Sequence, residues 1–142
     1  RSTPVAHSFP TRRSSDLLPD GTTMTHQPVV RGRPISPETA TALTDILVNV
    51  VEEGATRAQV PGYRIAGKTG TAQIPVPGGY DPEGTIASFV GYGPAEDPEL
   101  IILVRLDRPQ ASRSGSQTAT VVFSRLAGRL LPMRGIPPTE AP

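Results

Sequence analysis

The only lysine of the chain, Lys68, lies in a short run of residues that could bind an anion. Thr69, Gly70 and Thr71 follow it, so one ammonium group and two hydroxyls surround a residue without a side chain. Two motifs overlap here. Residues 62–69 fit the G-x-x-x-x-G-K-[ST] pattern of a phosphate-binding loop, whereas the Lys-Thr-Gly run fits a motif that belongs on a strand. The two motifs predict different chemistry.

The nucleotide-binding interpretation requires a buried strand before the loop and a helix that begins at Lys68 and Thr69. The first N–H groups of that helix would hold the phosphate. Neither element is predicted, because Pro75 prevents a long helix after Thr69 and residues 55–61 make a poor buried strand. The surroundings of Lys68 therefore argue against a phosphate site.

The strand interpretation agrees with the residues before the motif. Tyr63 and Ile65 alternate with Arg64 and Ala66. This alternation predicts a strand that continues through Lys68. An extended peptide can add to such a strand, and the missing side chain of Gly70 would allow a close approach. Lys68 would place a positive charge beside an anionic end of the peptide, and Thr69 and Thr71 would donate hydroxyl hydrogen bonds.

A helix is predicted before this strand. It begins after the N-cap residue Ser36, with Pro37 at its first position, and Gly54 ends it. Its apolar residues share one face, which predicts an amphipathic helix that packs on the rest of the domain. These residues are Ala40, Leu43, Ile46, Leu47, Val50 and Val51.

Two further strands and a closing helix are predicted after the motif. The strands cover 86–92 and 100–106, and the second is expected to be central because it is almost entirely apolar. A loop is predicted over 74–84, and the closing helix runs from behind Ser116 to Pro132. Short links favour antiparallel neighbours. The order helix, strand, strand, strand, helix predicts an α/β fold of the α+β type, with an antiparallel sheet flanked by helices.

The composition excludes several classes of function. The 142 residues include no cysteine and only two histidines, so disulfides and thiolate metal sites are excluded. A formal charge of +1 gives no strong field to attract nucleic acid or anionic lipid. The longest apolar run, 100–104, is too short to span a bilayer, and no signal peptide is found. We therefore expect no metal, no cofactor and no nucleic-acid partner.

The first seventeen residues show no helical or strand period. Residues 7–17 resemble a one-frame translation of a sequencing-library adapter, which predicts that 1–17 is a non-native leader and that the natural gene was cut near Leu18. An irregular segment over 18–34, with a turn at Asp20 and Gly21, leads to the main domain over 35–131. A flexible tail is predicted over 132–142.

Four runs of residues carry a resemblance to a known family. They are Gly-Tyr-Arg-Ile-Ala-Gly-Lys-Thr-Gly-Thr-Ala-Gln at 62–73 and Ala-Ser-Phe-Val-Gly-Tyr at 87–92, with similar runs at 35–40 and 103–107. Together they resemble the C-terminal part of class B penicillin-binding proteins, the cell-wall transpeptidases of the division and sporulation type. The resemblance covers about 19–138, and it implies part of the serine β-lactamase and penicillin-binding transpeptidase fold.

The resemblance also implies roles for the residues. In this family a serine attacks the penultimate D-Ala of a peptidoglycan stem peptide, the last D-Ala leaves, and the acyl group passes to an amine. Lys68 and Thr69 would then bind the carboxylate of the stem peptide or of a β-lactam, and the Thr71 hydroxyl would join them. The Thr71 N–H would form half of an oxyanion hole, and Gly70 would keep the strand flat.

The setting that the resemblance implies is the extracytoplasmic face of the bacterial membrane, with partners in the division or elongation machinery. The family's other two motifs, Ser-x-x-Lys and Ser-x-Asn, are absent. Ile65 stands three residues before the sole lysine, and Leu47 stands two before the sole asparagine, Asn49. The nucleophile and its base are missing, so the chain contains no catalytic residue and is expected to be inactive alone.

We also expect an exposed apolar face where the rest of the domain would sit. Two alternatives stay open. One is a β-lactam-sensing domain of the same fold, and the other is the nucleotide-binding loop.

Overall fold

A computed structural model describes residues 15–17, 20–25 and 32–139. They belong to two compact units that divide after Thr41. The elements in chain order are β1 (Ser15–Leu17), β2 (Thr23–Thr25), α1 (Pro37–Asn49), β3 (Ala66–Val76), β4 (Gly79–Gly93), β5 (Leu100–Asp107) and α2 (Ala119–Met133). Each helix in these ranges is too short or too polar to cross a membrane. The same ranges bring together no group of three acidic or histidine side chains that could hold a metal.

The first unit contains a two-stranded antiparallel ladder. Ser15 of β1 lies opposite Thr25 of β2. The turn between them is the predicted one, since the Asp20 carboxylate accepts a hydrogen bond from the Thr22 N–H at 2.9 Å and Gly21 has a φ of +83°. β1 lies inside the segment 1–17, for which the sequence predicts no strand. A three-residue strand is too short for a period of two to be visible.

Helix α1 begins as predicted. The Ser36 hydroxyl accepts a hydrogen bond from the Thr39 N–H at 3.2 Å and so caps the helix. After Asn49 the chain continues in a wider π-type turn over Val50–Gly54, so helical structure ends at Gly54.

The buried face of α1 differs in part from the prediction. Val48 and Val51 are each only 1% exposed, whereas Leu43 and Ile46 are 45% and 57% exposed. Periodicity identifies residues that share a face, but it does not show where neighbouring elements cover the helix. The expectation that Leu43 and Ile46 pack on the domain is therefore wrong for the described residues.

Strands β3, β4 and β5 form one antiparallel sheet in the order β3-β4-β5, as the short links predict. The sheet with its two helices confirms the predicted α+β architecture. Strand β4 is central, and β5 lies at an edge of this sheet, contrary to the expectation of a central strand. Ile101 and Leu103 of β5 are 40% and 69% exposed. A continuous apolar run therefore marks a strand here without marking its position.

The hairpin between β3 and β4 is longer than predicted. Pairing continues to Val76 opposite Gly79, with an irregularity between Gln73 and Pro75. Gly78, at the turn, has a φ of +85°. Most of the loop predicted over 74–84 is therefore strand. Pro75 lies on the edge strand β3, where a missing N–H donor is tolerated, Pro77 and Gly78 lie in the turn, and Pro82 lies in the part of β4 that precedes its pairing with β5.

The core lies between the sheet and α2. The rings of Phe89 from β4 and Phe123 from α2 are both buried and meet edge to face, with centroids 4.7 Å apart and planes at 64°. Gly91 makes room for them, because a Cβ there would lie 2.7 Å from an atom of each ring. The rest of the cluster includes Val51, Ala55, Ala58, Val60, Tyr63, Ile65, Val104, Ala119, Ala127 and Leu131.

The C-terminal segment is held to this core. Helix α2 continues through Pro132 to Met133. Beyond it, the Tyr63 hydroxyl donates to the carbonyl of Ile136 at 2.8 Å, and the Thr139 N–H donates to the carbonyl of Gly62 at 2.9 Å. These contacts differ from the predicted flexible tail, because the chain turns back after the helix and packs on the core. The last three residues lie outside the described ranges.

Candidate functional site

Lys68 lies near the start of β3, and its side chain is exposed. Its Nζ donates to the carbonyl oxygen of Thr69 at 3.2 Å. The strand continues beyond it to Val76, so no helix begins at this lysine. The geometry that a phosphate-binding loop requires is absent, and the nucleotide-binding alternative is wrong.

The register of the hairpin assigns the motif residues to the two faces of the sheet. Lys68 is opposite Val90, and Thr69 is opposite Phe89, whose ring packs against α2. Directly opposite residues of an antiparallel pair point to the same side, and neighbours along a strand alternate. Thr69 and Thr71 therefore lie on the α2 face. Lys68 and Gly70 lie on the other face, which we call the open face.

Gly70 brings a second hydroxyl to the open face. A Cβ at this position would lie 2.6 Å from Oγ of Ser88, the residue opposite on β4. Any side chain at 70 would thus displace the serine hydroxyl, and any group that approaches Gly70 from this face meets Ser88. Ser88 was part of a run that carried the family resemblance, but sequence reasoning assigned it no role. Only the register places it beside the motif.

Thr71 is contacted by the loop between β5 and α2. The N–H of Gly115 donates to Thr71 Oγ1 at 3.2 Å. A Cβ on Gly115 would lie 2.5 Å from the carbonyl oxygen of Gly70, so only glycine allows this loop to pack so closely on the strand. Because Thr71 Oγ1 accepts one hydrogen bond, its own hydrogen can still be donated to a ligand. Nothing in the sequence indicates this contact, because the two residues are 44 positions apart along the chain.

The open face carries exposed apolar side chains around Lys68. Val90 is 37% exposed, and Ile101 and Leu103 of β5 belong to the same face, since Leu103 is opposite Val90 and Ile101 is opposite Tyr92. The Tyr92 hydroxyl lies 2.8 Å from the hydroxyl of Thr44 on α1. This agrees with the expectation of an exposed apolar face.

Acidic residues in the loops have specific partners. Asp81 pairs with Arg108 and Glu83 pairs with Arg113, so two acids of β4 form ion pairs with two arginines of the β5–α2 loop. Nothing in the spacing could reveal the pairs, because the partners are 27 and 30 residues apart along the chain.

The family model of the penicillin binding protein transpeptidase domain matches residues 10–128 of the chain. The chain belongs to this family. The match begins within the segment 1–17 that the sequence analysis assigns to a leader. It includes all of β3, β4 and β5 and most of α2.

Several proteins of this family are similar to the chain. Stage V sporulation protein D of Bacillus subtilis is 37% identical over 127 residues, which are 88% of the chain and 20% of that protein. The transpeptidase domain of penicillin-binding protein 3 from Burkholderia pseudomallei superposes with a TM-score of 0.74 at 36% identity, over 84% of the chain and 38% of the domain structure.

Penicillin binding protein 3 of Mycobacterium tuberculosis, in complex with ampicillin, gives a TM-score of 0.73 at 29% identity. That match covers 91% of the chain and 31% of the tuberculosis protein. The chain thus corresponds to about a fifth of the sporulation protein and to about a third of the solved structures. It represents a part of the transpeptidase domain.

Proposed function

We propose that the chain supplies the substrate-binding strand of a peptidoglycan D,D-transpeptidase. The observation that carries this proposal is the position of Lys68. It is an exposed amine on β3, and β3 has no partner strand on its outer side within the described sheet. An extended stem peptide can add along this edge and bring its terminal carboxylate to the ammonium group.

The residues around Lys68 make different contributions to ligand binding. Lys68 supplies the charge, and a charge-assisted hydrogen bond contributes about 1.5–3 kcal/mol. Because β3 is an edge strand, the hydroxyls of Thr69 and Thr71 on the α2 face reach the same carboxylate at the outer edge of the strand, and the Thr71 N–H stabilises the developing oxyanion of the acyl group. Gly70 leaves the backbone accessible. A β-lactam carries a comparable carboxylate, and the ampicillin complex of the similar tuberculosis protein supports its inclusion as a ligand.

The catalytic serine and its lysine belong to the same proposal. The chain has neither Ser-x-x-Lys nor Ser-x-Asn. We propose that these groups come from the rest of the transpeptidase domain and act at the open face. The proposed location is the extracytoplasmic side of the bacterial membrane, with the division or elongation machinery as partners.

The test is acylation by a fluorescent penicillin, measured in the protein that carries this chain together with the catalytic serine. We expect Lys68→Ala to lower the second-order acylation rate by about tenfold or more, as the loss of a charged hydrogen bond requires. Arg125→Ala is the matched control and should leave the rate unchanged, because Arg125 is an exposed cation on α2, away from the open face. An unchanged acylation rate in Lys68→Ala would contradict the proposal.

A second measurement distinguishes the enzyme from a β-lactam sensor. A transpeptidase releases D-Ala from a stem-peptide substrate in every turnover, whereas a sensor is acylated by the penicillin without that release. We expect D-Ala release and its loss in Lys68→Ala.

A further inference from the structure

The loop between β5 and α2 is attached to the β3–β4 hairpin at several points. At its start, the Arg108 guanidinium pairs with the Asp81 carboxylate, and the Arg108 N–H donates to the carbonyl of Thr85 at 2.9 Å. Five residues later, the Thr85 hydroxyl donates to the carbonyl of Arg113 at 3.0 Å. Arg108 and Arg113, on the two sides of 109–112, are therefore both bonded to one short stretch of β4.

Asp81 is the best-defined of these attachment points. Its side chain is 15% exposed, whereas that of Glu83 in the neighbouring ion pair is 82% exposed, where solvent screens the charge. Asp81 Oδ1 accepts the N–H groups of Glu83 and Gly84 at 2.8 and 2.9 Å, and Oδ2 contacts Arg108. A Cβ at Gly84 would lie 2.6 Å from Asp81 Oδ2, so glycine there leaves room for the ion pair.

The other end of the loop reaches the motif strand. Two residues after Arg113, the Gly115 N–H donates to Thr71 Oγ1, and the Gly115 backbone packs against Gly70. Only Ser114 separates Arg113 from Gly115, and its hydroxyl lies 2.8 Å from the hydroxyl of Ser116 on the other side of Gly115. A displacement of the loop at Arg108 would thus be carried to Thr71.

We propose that Asp81 and Arg108 are positioning residues, which hold the β5–α2 loop so that Gly115 orients the Thr71 hydroxyl toward the ligand. The inference rests on the proposed function, because it takes Thr71 to be a ligand-binding residue. Asp81 and Arg108 act only through the loop. Without their ion pair the Gly115 N–H would leave Thr71 more often, and the hydroxyl would lose its fixed orientation.

The test is hydrogen exchange of the Gly115 amide in the protein that carries this chain. Asp81→Asn keeps an oxygen for the two turn N–H groups and removes only the charge, and Arg108→Gln removes the charge from the other side. We expect both substitutions to speed exchange of the Gly115 amide about threefold to tenfold, because the lost ion pair is partly shielded from solvent. Arg108→Lys keeps the cation and should restore exchange to within about twofold of the parent rate.

The controls separate positioning from general destabilisation. Asp97→Asn changes an exposed acid in the β4–β5 turn and should leave the exchange rate of the Gly115 amide unchanged. The Phe89 amide in the centre of the sheet should keep its exchange rate in every variant. Three outcomes would each overturn the inference. The Gly115 exchange rate could stay unchanged in Arg108→Gln, or it could be equal in Arg108→Lys and Arg108→Gln. Exchange could also be accelerated equally at Phe89 and Gly115. If Asp81→Asn fails to fold, the two Arg108 variants decide it.

Acylation rates distinguish this inference from the proposed function. We expect Asp81→Asn and Arg108→Gln to lower the penicillin acylation rate threefold to tenfold, with recovery in Arg108→Lys. Faster Gly115 exchange with an unchanged acylation rate would reject the positioning role, while Lys68→Ala would still report on the strand. An unchanged rate in Lys68→Ala would instead reject the proposed function.

Discussion

The two faces of the three-stranded sheet differ sharply in what covers them. The α2 face is closed by the chain itself, with Phe89 and Phe123 in edge-to-face contact and Gly91 leaving room for both rings. The open face carries Lys68, and its apolar residues Val90 and Leu103 are 37% and 69% exposed. Alternation along each strand separates the two sets of residues.

One short strand, β3, has a structural role on one face and the proposed binding role on the other. On β3 the odd-numbered positions 67, 69 and 71 face the core and the β5–α2 loop, while Lys68 and Gly70 face outward. A substitution at buried Gly67 should therefore affect mainly stability, whereas one at Lys68, or at the hydroxyls of Thr69 and Thr71 at the outer edge of the strand, should affect mainly ligand binding. The following predictions test this division, beginning with the largest expected effect.

The largest effect concerns chemistry on the open face. We expect the 142-residue chain to show no covalent labelling by fluorescent penicillin, because neither a Ser-x-x-Lys nor a Ser-x-Asn motif is present. The measurement is gel fluorescence after incubation, with labelling competed by unlabelled penicillin as the control. Specific labelling would show that one of the chain's own serines is a nucleophile and would refute the assignment of a binding role alone.

Removal of the buried ring of α2 should have the largest effect on stability. We expect Phe123→Ala to lower the free energy of unfolding by about 3–5 kcal/mol, because the ring is fully buried and leaves a cavity against Phe89. Urea denaturation measures it. Val122→Ala on the same helix is the control, since Val122 is 37% exposed. Similar losses for both variants would mean that the α2 face is not a packed core.

Addition of a single methyl group to the α2 face should be costly. In Gly91→Ala the new Cβ would lie 2.7 Å from both rings, so we expect a loss of about 1–3 kcal/mol from overpacking. Gly128→Ala in α2 is the matched control. Its Cβ would meet only Val60, at 3.7 Å, and alanine favours a helix by about 0.8–1 kcal/mol. Opposite signs are expected in thermal denaturation, and a loss in both would argue against the close contact.

The open face should tolerate truncation. We expect Leu103→Ala to change the free energy of unfolding by no more than about 0.5 kcal/mol, because the side chain is largely in solvent. It should also reduce self-association, measured by light scattering, since a large exposed apolar side chain is removed. A loss comparable to that of Phe123→Ala would show that Leu103 is covered in solution.

The smallest effect is a pH dependence at the edge of the hairpin. The N–H groups of Glu83 and Gly84, together with Arg108, lower the pKa of Asp81 below its ordinary value. Its stabilising contribution is therefore complete above the ordinary aspartate pKa of about 3.9 and is lost as the pH falls through the lowered pKa. The difference in urea midpoint between the parent and Asp81→Asn should shrink below about pH 4. A constant difference from pH 6 to pH 2.5 would contradict this.

The sequence alone determined the local elements and the motif. Ser36 and Pro37 mark the start of α1, the alternation and short links predict antiparallel strands, and the lone Lys68 marks the strand that we propose binds substrate. These are local properties, since capping, side-chain period and residue type are read within a few positions. The family resemblance came from the same contiguous runs.

Only the tertiary structure decided which groups meet. The positions of Ser88 beside Gly70, of Gly115 on Thr71 and of Arg108 on Asp81 depend on hairpin register and loop packing. The edge position of β5 and the buried side of α1 likewise depend on neighbouring elements. The whole fold brings together residues that are far apart in the sequence. Neither residue spacing nor composition predicts which of these residues will be in contact.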